Sequence, residues 1–289
     1  MKVIWVLENI KDNSNSHDYY VRSKLNVLLL LASVNLWRKN HRDDTCVLYA
    51  DDITIDLFDR LKVLDFWHEI KKLPDSRKIN KGIFWAQSKL QVLATVNEPV
   101  ILMDNDTLVY KPFKQHLRED EVLVTNLEHG RGYYPTAIDP YVRQLSFKRR
   151  WKTESLNVSF LYLPDYTFAK RYAETSLNMM EELTELKAPN SQYLIFAEQM
   201  LLKQMLEEEN IKYRSVISTY WDCDKWTWGE EHDKGIWRFY DSERYFKHYG
   251  PLKKYVKDSA GGQNYESEIK MLENCINLPN LNLESITKR

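Results

Sequence analysis

Glycine and cysteine are scarce in this chain of 289 residues. Only 8 glycines occur, and neither a G-x-G-x-x-G nor a Walker A pattern is found, which excludes a glycine-rich loop as the phosphate-binding device. The three cysteines, Cys46, Cys223 and Cys275, lie far apart and form no C-x-x-C pair. This spacing predicts neither a zinc site nor a disulfide framework, and it fits a reducing compartment.

Long apolar runs and an excess of one charge are missing as well. The longest apolar stretch, residues 27–32, is far shorter than the ~20 residues that a membrane span needs. The apolar run near the N-terminus is too short for a signal peptide and is interrupted by Glu8. Lys and Arg (41) nearly balance Asp and Glu (42), so a protein that mainly coats nucleic acid is not expected. We therefore expect a cytoplasmic protein without a transmembrane segment.

The first part of the chain alternates short apolar runs with segments of helical periodicity. This order predicts an α/β fold with a Rossmann-like, mostly parallel sheet flanked by helices. Strands are predicted at residues 2–7, 45–50, 69–73 and 100–103, and helices at residues 19–38, 55–66 (after a Thr54 cap) and 81–96.

The second part of the chain has a more mixed pattern. Strands are predicted at residues 121–126, 159–163 and 213–217, and helices at residues 168–186, 197–209 and 265–275. Residues 218–257 have an irregular sequence pattern that is rich in aromatic residues. The aromatic side chains of residues 220–249 either stack on sugar or base faces or form a small aromatic core. We expect one domain of residues 1–257, with a smaller mixed C-terminal part, and a polar, helical extension of residues 258–289 that packs on it or trails from it.

The strongest chemical signal follows the predicted strand at residues 100–103. That strand ends in Asp104-Asn105-Asp106, and residues i and i+2 at a strand end point the same way. Two carboxylates held side by side repel each other unless a cation lies near them. Such oxygen ligands suit Mg²⁺ or Mn²⁺, which retain open positions for substrate phosphates. The alternative is an acidic turn between a strand and a loop, where Asp and Asn are common.

A second motif, His248-x-Gly250-x-x-Lys253, lies far downstream. A neutral imidazole can be the third ligand of a metal held by two carboxylates. Glycine allows the backbone to approach a phosphate closely, and lysine supplies a compact positive charge for it. Alone, the pattern is typical of a surface histidine in a turn; together with Asp104 and Asp106 it favours a metal and phosphate site.

Five short segments resemble motifs of GT-A glycosyltransferases, above all glycosyltransferase family eight and its relatives, and they follow one another in the order of that family. The resemblance covers residues 1–257. Four departures occur. Ser159 stands where glycine is usual, and Glu198 stands where aspartate is usual. The histidine motif is one residue shorter than its commonest form, and Tyr255 does not restore the Pro-Trp that usually follows the lysine. The segments are residues 85–90 with Lys89, residues 101–109 with the D-x-D motif, residues 157–161 beginning at Asn157, residues 197–202 with Glu198-Gln199, and residues 248–253.

The resemblance implies a GT-A domain that transfers a sugar from a nucleotide-sugar donor, in particular a UDP-sugar. The acceptor is left open among glycans, lipids, proteins and modified DNA bases. A Mn²⁺ or Mg²⁺ ion held by Asp104, Asp106 and His248 would act as Lewis acid for the leaving diphosphate. Glu198 and Gln199 are the candidate catalytic residues beside the reacting sugar, in a retaining or an inverting enzyme. The candidate donor-binding residues are Asn9, Asp51, Lys89, Asn105, Asn157, Gly250 and Lys253.

Plainer roles exist for some of these residues, and two other functions compete. Asn9 and Asp51 end the first two predicted strands, where a turn role is the alternative. A phage-type glycosyltransferase acting on modified bases in DNA is favoured only by the basic run at residues 148–152, which otherwise indicates a solvated loop. A non-catalytic sugar-nucleotide-binding protein is the other alternative, and the set of Asp104, Asp106 and His248 argues against it.

Overall fold

The computed structural model describes residues 1–8, 24–149, 151–249 and 263–276. Asn9, Gly250 and Lys253 therefore lie outside the described residues. The chain forms two compact units, and each is built from segments that are distant in the sequence. Unit 1 comprises Met1–Lys72, Met103–Gln115 and Glu243–Arg289, and unit 2 comprises Leu73–Leu102 and His116–Ser242.

Twelve strands and nine α-helices occur in the described residues. The strands are β1 (Lys2–Leu7), β2 (Thr45–Ala50), β3 (Glu69–Lys72), β4 (Val100–Met103), β5 (Thr107–Val109), β6 (Glu121–His129), β7 (Glu154–Leu163), β8 (Lys212–Ile217), β9 (Thr219–Asp222), β10 (Thr227–Glu231), β11 (Gly235–Trp237) and β12 (Phe246–His248). The helices are α1 (Lys24–Asn40), α2 (Asp52–Arg60), α3 (Gln87–Leu93), α4 (Pro140–Gln144), α5 (Tyr166–Glu185), α6 (Gln192–Ile195), α7 (Leu201–Glu208), α8 (Phe239–Ser242) and α9 (Gln263–Ile276).

Unit 1 contains a parallel β1–β2–β3 arrangement and a small two-stranded sheet. In the first, Lys2 pairs with Thr45 and Val47 with Glu69. The small sheet consists of β5 and β12, which run antiparallel. Helix α1 is apolar on nearly all sides and almost wholly buried. Helix α9 packs against it, and the Asn35 side-chain amide donates to the Cys275 carbonyl oxygen at 2.8 Å.

In unit 2, strand β6 pairs with several others. It is parallel to β8 and β9 and antiparallel to β7, while β11 is parallel to β8 and β10 is antiparallel to β9. Strand β6 is buried along nearly its whole length, as expected of a strand with neighbours on both edges. Helices α3 and α5 pack against each other. The prediction of an α/β fold with a mostly parallel sheet flanked by helices is confirmed.

Local chemistry shifts several of the predicted helix limits. Asp51 rather than Thr54 caps α2, because its carboxylate accepts the Thr54 backbone N–H at 2.8 Å. Helix α2 ends at Arg60 instead of residue 66, and the left-handed Lys62 (φ 57°) follows it. The helix predicted at residues 81–96 is limited to Gln87–Leu93, since turns occupy the residues before it.

The structure refines two further sequence predictions. Residues 218–257 are not irregular throughout, because β9, β10, β11, α8 and β12 lie among them. Their aromatic residues alternate too little to give a clear period-2 pattern. The helix predicted at residues 197–209 is present, but its first turn, Phe196–Met200, is π-helical before it continues into α7. The helix predicted at residues 265–275 is confirmed as α9, whereas the division into residues 1–257 and 258–289 stays a prediction.

Candidate active site

Asp104, Asp106 and His248 come together in unit 1. One ligand atom from each lies within 4.8 Å of the ligand atoms of the others. His248 Nε2 is 3.6 Å from Asp106 Oδ1. Asp106 is buried, and the other two side chains are half-buried. The donor set of two carboxylates and one imidazole suits a divalent cation such as Mn²⁺ or Mg²⁺.

The small sheet of β5 and β12 brings these residues together. Asp104 and Asp106 lie in the turn between β4 and β5, which is closed by a bond from the Thr107 N–H to the Asp104 carbonyl oxygen at 3.2 Å. Strand β12 pairs His248 with Thr107. The buried Ser33 hydroxyl donates to the Thr107 carbonyl oxygen at 2.6 Å, so helix α1 fixes the same turn from another side.

Helix α9 supports the strand that carries His248. The residues on either side of the imidazole both reach Glu268: the Lys247 ammonium lies 3.2 Å from its carboxylate, and the Tyr249 hydroxyl donates to it at 2.9 Å. Burial raises the pKa of Tyr249, and the neighbouring Tyr110 and Glu268 raise it further, so the hydroxyl stays a donor. Sequence reasoning missed Glu268, because a glutamate on a polar helix face carries no signal of such a role.

Asn105 and Asp51 lie in unit 1 with contacts of their own. The Asn105 amide nitrogen donates to the Val6 carbonyl oxygen at 3.2 Å, whereas its Oδ1 is buried without a hydrogen-bond partner among the described residues. A buried amide oxygen of this kind is able to accept a hydrogen bond from a ligand. Asp51 caps α2, as the turn interpretation predicted, and its donor-binding role stays a prediction.

In unit 2, Lys89 and Glu198 form a buried ion pair. The Lys89 ammonium is 3.3 Å from the Glu198 carboxylate, and the side chains are only 9% and 4% exposed. Lys89 lies on α3 and Glu198 on the π-helical turn. Burying two charges is costly, so a pair of this kind needs good geometry to persist. The structure thus joins a predicted donor-binding residue to a predicted catalytic residue.

The π-helical turn places Glu198 and Gln199 in unusual surroundings. Helix α5 holds its backbone, because the Tyr172 hydroxyl donates to the Glu198 carbonyl oxygen (3.1 Å) and the Ser176 hydroxyl donates to that of Ala197 (2.6 Å). The Gln199 Oε1 atom is buried without a hydrogen-bond partner among the described residues. Single π-helical turns occur frequently at functional sites.

Asn157 belongs to a buried polar network of unit 2. Its amide nitrogen donates to Glu128 Oε1 at 2.8 Å, and its Oδ1 accepts the Ser159 N–H at 3.1 Å. The other Glu128 oxygen accepts the Tyr134 hydroxyl at 2.8 Å. Burial first, and then the neighbouring Glu128 charge, raise the pKa of Tyr134. Asn157 thus orders two strands, and its predicted role towards the donor remains untested.

Most basic side chains of the run that favoured a DNA acceptor interact with nearby carboxylates or carbonyl oxygens. Arg149 forms an ion pair with Glu208, and the Lys152 ammonium lies 2.7 Å from Glu207. The Lys148 ammonium donates to the Arg143 carbonyl oxygen. Charges already neutralised by α7 contribute little to phosphate binding. Residue 150 lies outside the described residues.

Comparisons with known proteins place the chain in a family. A family profile with the description "Family of unknown function (DUF6734)" matches residues 1–259, and the chain belongs to this family. No curated protein matches the sequence. None of the helices in the described part of the chain combines the length and apolarity that crossing a membrane requires.

Several solved structures are distantly similar to this chain. The galactosyltransferase LgtC, in complex with donor and acceptor sugar analogues, has 10% sequence identity and a TM-score of 0.38, with 74% of this chain and 73% of that chain covered. The glycosyltransferase GlyE of Streptococcus pneumoniae TIGR4 has 11% identity and a TM-score of 0.36, with 74% of this chain but only 44% of that chain covered. The PaToxG glycosyltransferase has 12% identity and a TM-score of 0.39, with 72% and 68% covered.

Proposed function

We propose that this chain is a metal-dependent GT-A glycosyltransferase that moves a sugar from a nucleotide-sugar donor, of the UDP type, to an acceptor. The observation that carries the proposal is the cluster of Asp104, Asp106 and His248, whose ligand atoms lie within 4.8 Å of one another. A D-x-D motif and a distant histidine, in the order that the sequence resemblance requires, converge on one place.

The residues present fit a Mn²⁺ or Mg²⁺ ion. Two carboxylates and an imidazole neutralise the cation and leave further coordination positions for phosphate oxygens. When bound, the ion would supply Lewis-acid stabilisation for the leaving nucleoside diphosphate. The buried Oδ1 of Asn105 adds an acceptor on the residue between the two aspartates, which suits a hydroxyl group of the donor.

Glu198 and Gln199 receive different roles in this proposal. The Glu198 carboxylate is engaged by Lys89 at 3.3 Å, so we assign this pair to the positioning of the π-helical turn. The buried Oε1 of Gln199 is the better candidate for contact with the sugar. An amide oxygen can accept a sugar hydroxyl and can stabilise positive charge that develops at the anomeric carbon.

Calorimetric titration of Mn²⁺ and UDP into the purified chain tests the proposal. We expect joint binding by the wild type, at least a tenfold weaker Mn²⁺ affinity in Asp106→Asn, and a smaller loss in His248→Ala because two ligands remain. Asp59→Asn is the matched control, since Asp59 is an exposed acid that pairs with its near neighbour Lys62. Unchanged Mn²⁺ affinity in Asp106→Asn would contradict the proposed site.

Turnover separates an enzyme from a binding protein. We expect Mn²⁺-dependent release of UDP from at least one UDP-sugar, with Asp106→Asn inactive and Asp59→Asn fully active. Binding of UDP without release from any of a panel of UDP-sugars would favour the non-catalytic alternative.

A further inference from the structure

A continuous row of aromatic rings lies on unit 2 and takes no part in the proposed chemistry. Successive ring centroids are 6.3, 6.2, 5.3, 4.4 and 5.4 Å apart. We name this row the aromatic platform. Its members, in spatial order, are Tyr133, Trp226, Trp221, Trp228, Phe239 and Tyr240.

Two rings of the aromatic platform are exposed to solvent. Trp226 is 61% exposed and Tyr240 is 81% exposed. Leaving such large rings exposed forfeits about 1.5–3 kcal/mol per side chain relative to burial. The other four rings of the row are half-buried, and an apolar patch that includes exposed large rings is typical of a binding site.

The backbone of Trp226 adds a second and independent observation. Its φ is 54°, in the left-handed region that glycine and asparagine favour and bulky residues avoid. The turn is otherwise well ordered, because the Asp222 carboxylate accepts the N–H groups of Asp224 and Lys225, and Asp224 accepts that of Gly132. A tryptophan here works against folding, and strain of this kind clusters at ligand-binding positions.

The charges around the platform restrict what it can bind. Residues 219–242 carry six carboxylates and three lysine or arginine side chains, a net charge of −3. Two of the cations are already paired, Lys225 with Asp222 at 3.1 Å and Arg238 with Glu231 at 2.6 Å. A surface of this sign repels nucleic acid, uronic acid polymers and sulfated glycans. Its carboxylates are good acceptors for hydroxyl groups.

We propose that the aromatic platform binds a neutral carbohydrate chain. The C–H groups on one face of a pyranose ring are apolar and weakly positive, and they complement the negative face of an aromatic ring. The hydroxyl groups at the edge of the sugar then meet the surrounding carboxylates. The rings of the row meet mostly edge to face, at interplanar angles of 65–85°, so the exposed rings of Trp226 and Tyr240 offer separate stacking sites. Rigid aromatic side chains lose little entropy on binding.

The proposed carbohydrate binding is argued from the aromatic platform alone, whereas the conclusion about the acceptor rests on the proposed function. If the chain is a glycosyltransferase, the carbohydrate held by the platform is its acceptor class. Glycans then take precedence over lipids, proteins and DNA among the open alternatives.

An array of neutral and anionic glycans, followed by fluorescence titration of soluble neutral hexasaccharides, tests the inference. We expect retention of neutral glycans and quenching or a shift of tryptophan emission on titration. Trp226→Gly and Tyr240→Ala should each weaken the affinity at least tenfold. Tyr166→Ala is the control, since Tyr166 is a 42% exposed tyrosine on α5 outside the platform.

Trp226→Gly also excludes a trivial loss through misfolding. Glycine accepts a φ of 54° without strain, and this relief offsets the lost ring contacts, so the melting temperature of this variant should stay close to that of the wild type. A stable variant that no longer binds the glycan identifies Trp226 as a binding residue.

Three outcomes would overturn the inference: no neutral glycan retained on the array, equal retention by Trp226→Gly, or concentration-dependent self-association that Trp226→Gly abolishes. The last would assign the platform to a second copy of this chain. Asp106→Asn separates the two proposals, because glycan binding should persist in it while Mn²⁺ binding is lost. Glycan binding without any UDP or Mn²⁺ binding in the wild type would leave the platform standing and contradict the proposed function.

Discussion

The backbone N–H of Tyr249 donates to the carbonyl oxygen of Asp106 at 3.0 Å. The residue after the imidazole ligand is thereby tied to the acidic ligand itself. The Tyr249 hydroxyl continues to Glu268 on α9, which also holds Lys247 on the other side of His248. Helix α9 is thus connected to the candidate metal ligands through two residues that flank one of them.

Replacing Glu268 should therefore weaken metal binding although Glu268 is no ligand. Outer groups that orient metal ligands typically contribute a factor of 10–100 in affinity. We expect Glu268→Ala to reduce the Mn²⁺ affinity about tenfold in calorimetry. Glu266→Ala, an exposed glutamate on the same helix, is the control and should bind Mn²⁺ as the wild type does. Equal affinity in the two variants would show that α9 does not support the site.

The buried pair of Lys89 and Glu198 predicts strong energetic coupling. Removing one member of a buried ion pair leaves the other charge buried without that partner, at a cost of about 3–5 kcal/mol. Lys89→Met and Glu198→Leu should each lower the free energy of unfolding in urea by about that amount. The double variant should lose less than either single variant, since no charge then stays behind. Additive losses would contradict the coupling.

Activity in the double variant tests a different property of the same pair. If the pair positions the turn that carries Gln199, then Lys89→Met/Glu198→Leu should be stable yet slow in UDP-sugar turnover, with its affinity for Mn²⁺ unchanged. Turnover equal to the wild type would restrict the pair to a structural role. Gln199→Ala, which removes the amide proposed to contact the sugar, should be inactive and folded.

The hydroxyl of Ser176 predicts a smaller and more local effect. It donates to the Ala197 carbonyl oxygen within the π-helical turn, and a buried hydrogen bond of this kind contributes about 1 kcal/mol. Ser176→Ala should lower the free energy of unfolding by that amount. The neighbouring Thr175→Ala removes a hydroxyl that bonds within its own helix on the exposed side, and it should change stability by less than about 0.5 kcal/mol. Equal losses would contradict a specific support of the turn.

Local sequence chemistry accounts for the parts of the fold that could be predicted. Strands β1 and β2 are short apolar runs bounded by polar residues, and their predicted limits agree with the structure. Buried strands of this kind can be predicted from the local sequence, because the whole apolar run has to be buried and its length sets the limits of the strand. The D-x-D turn follows from the end of such a run. The position of His248 beside the D-x-D turn was predicted from the order of the motifs in the sequence resemblance. No local pattern links residues so distant in the sequence.

Tertiary contacts account for the parts that could not be predicted. The π-helical turn has the apolar spacing of an ordinary helix, and the donors that stabilise it, Tyr172 and Ser176, lie on α5. The cap of α2 was misplaced by a few residues because Asp51 and Thr54 are both good caps, and the backbone geometry selects the aspartate. The exposure of Trp226 was invisible in the sequence, since a buried aromatic core has the same composition.

His41 predicts that the stability of the chain depends on pH. Its Nε2 accepts the Phe113 N–H at 2.8 Å, and its ring stacks on Trp37 with a centroid distance of 4.0 Å. Burial lowers the pKa of His41 below the model-peptide value of 6.5, although the nearby Asp44 partly offsets this effect. The folded chain therefore binds the proton less readily than the unfolded chain. The stabilisation is complete above pH 6.5 and is lost as the pH falls below 6.5 towards the lowered pKa.

Thermal and urea unfolding of His41→Leu between pH 5 and 7.5 checks the direction of this pH dependence. The variant loses the acceptor of the Phe113 N–H and should be less stable than the wild type at pH 7.5 by about 1–3 kcal/mol. That deficit should shrink as the pH falls, because only the wild type has a proton to exclude at this position. His116 and His232, whose pKa values are also lowered by burial, leave a residual pH dependence in both proteins. A deficit that stays constant or grows towards pH 5 would mean that His41 is not held neutral by its surroundings.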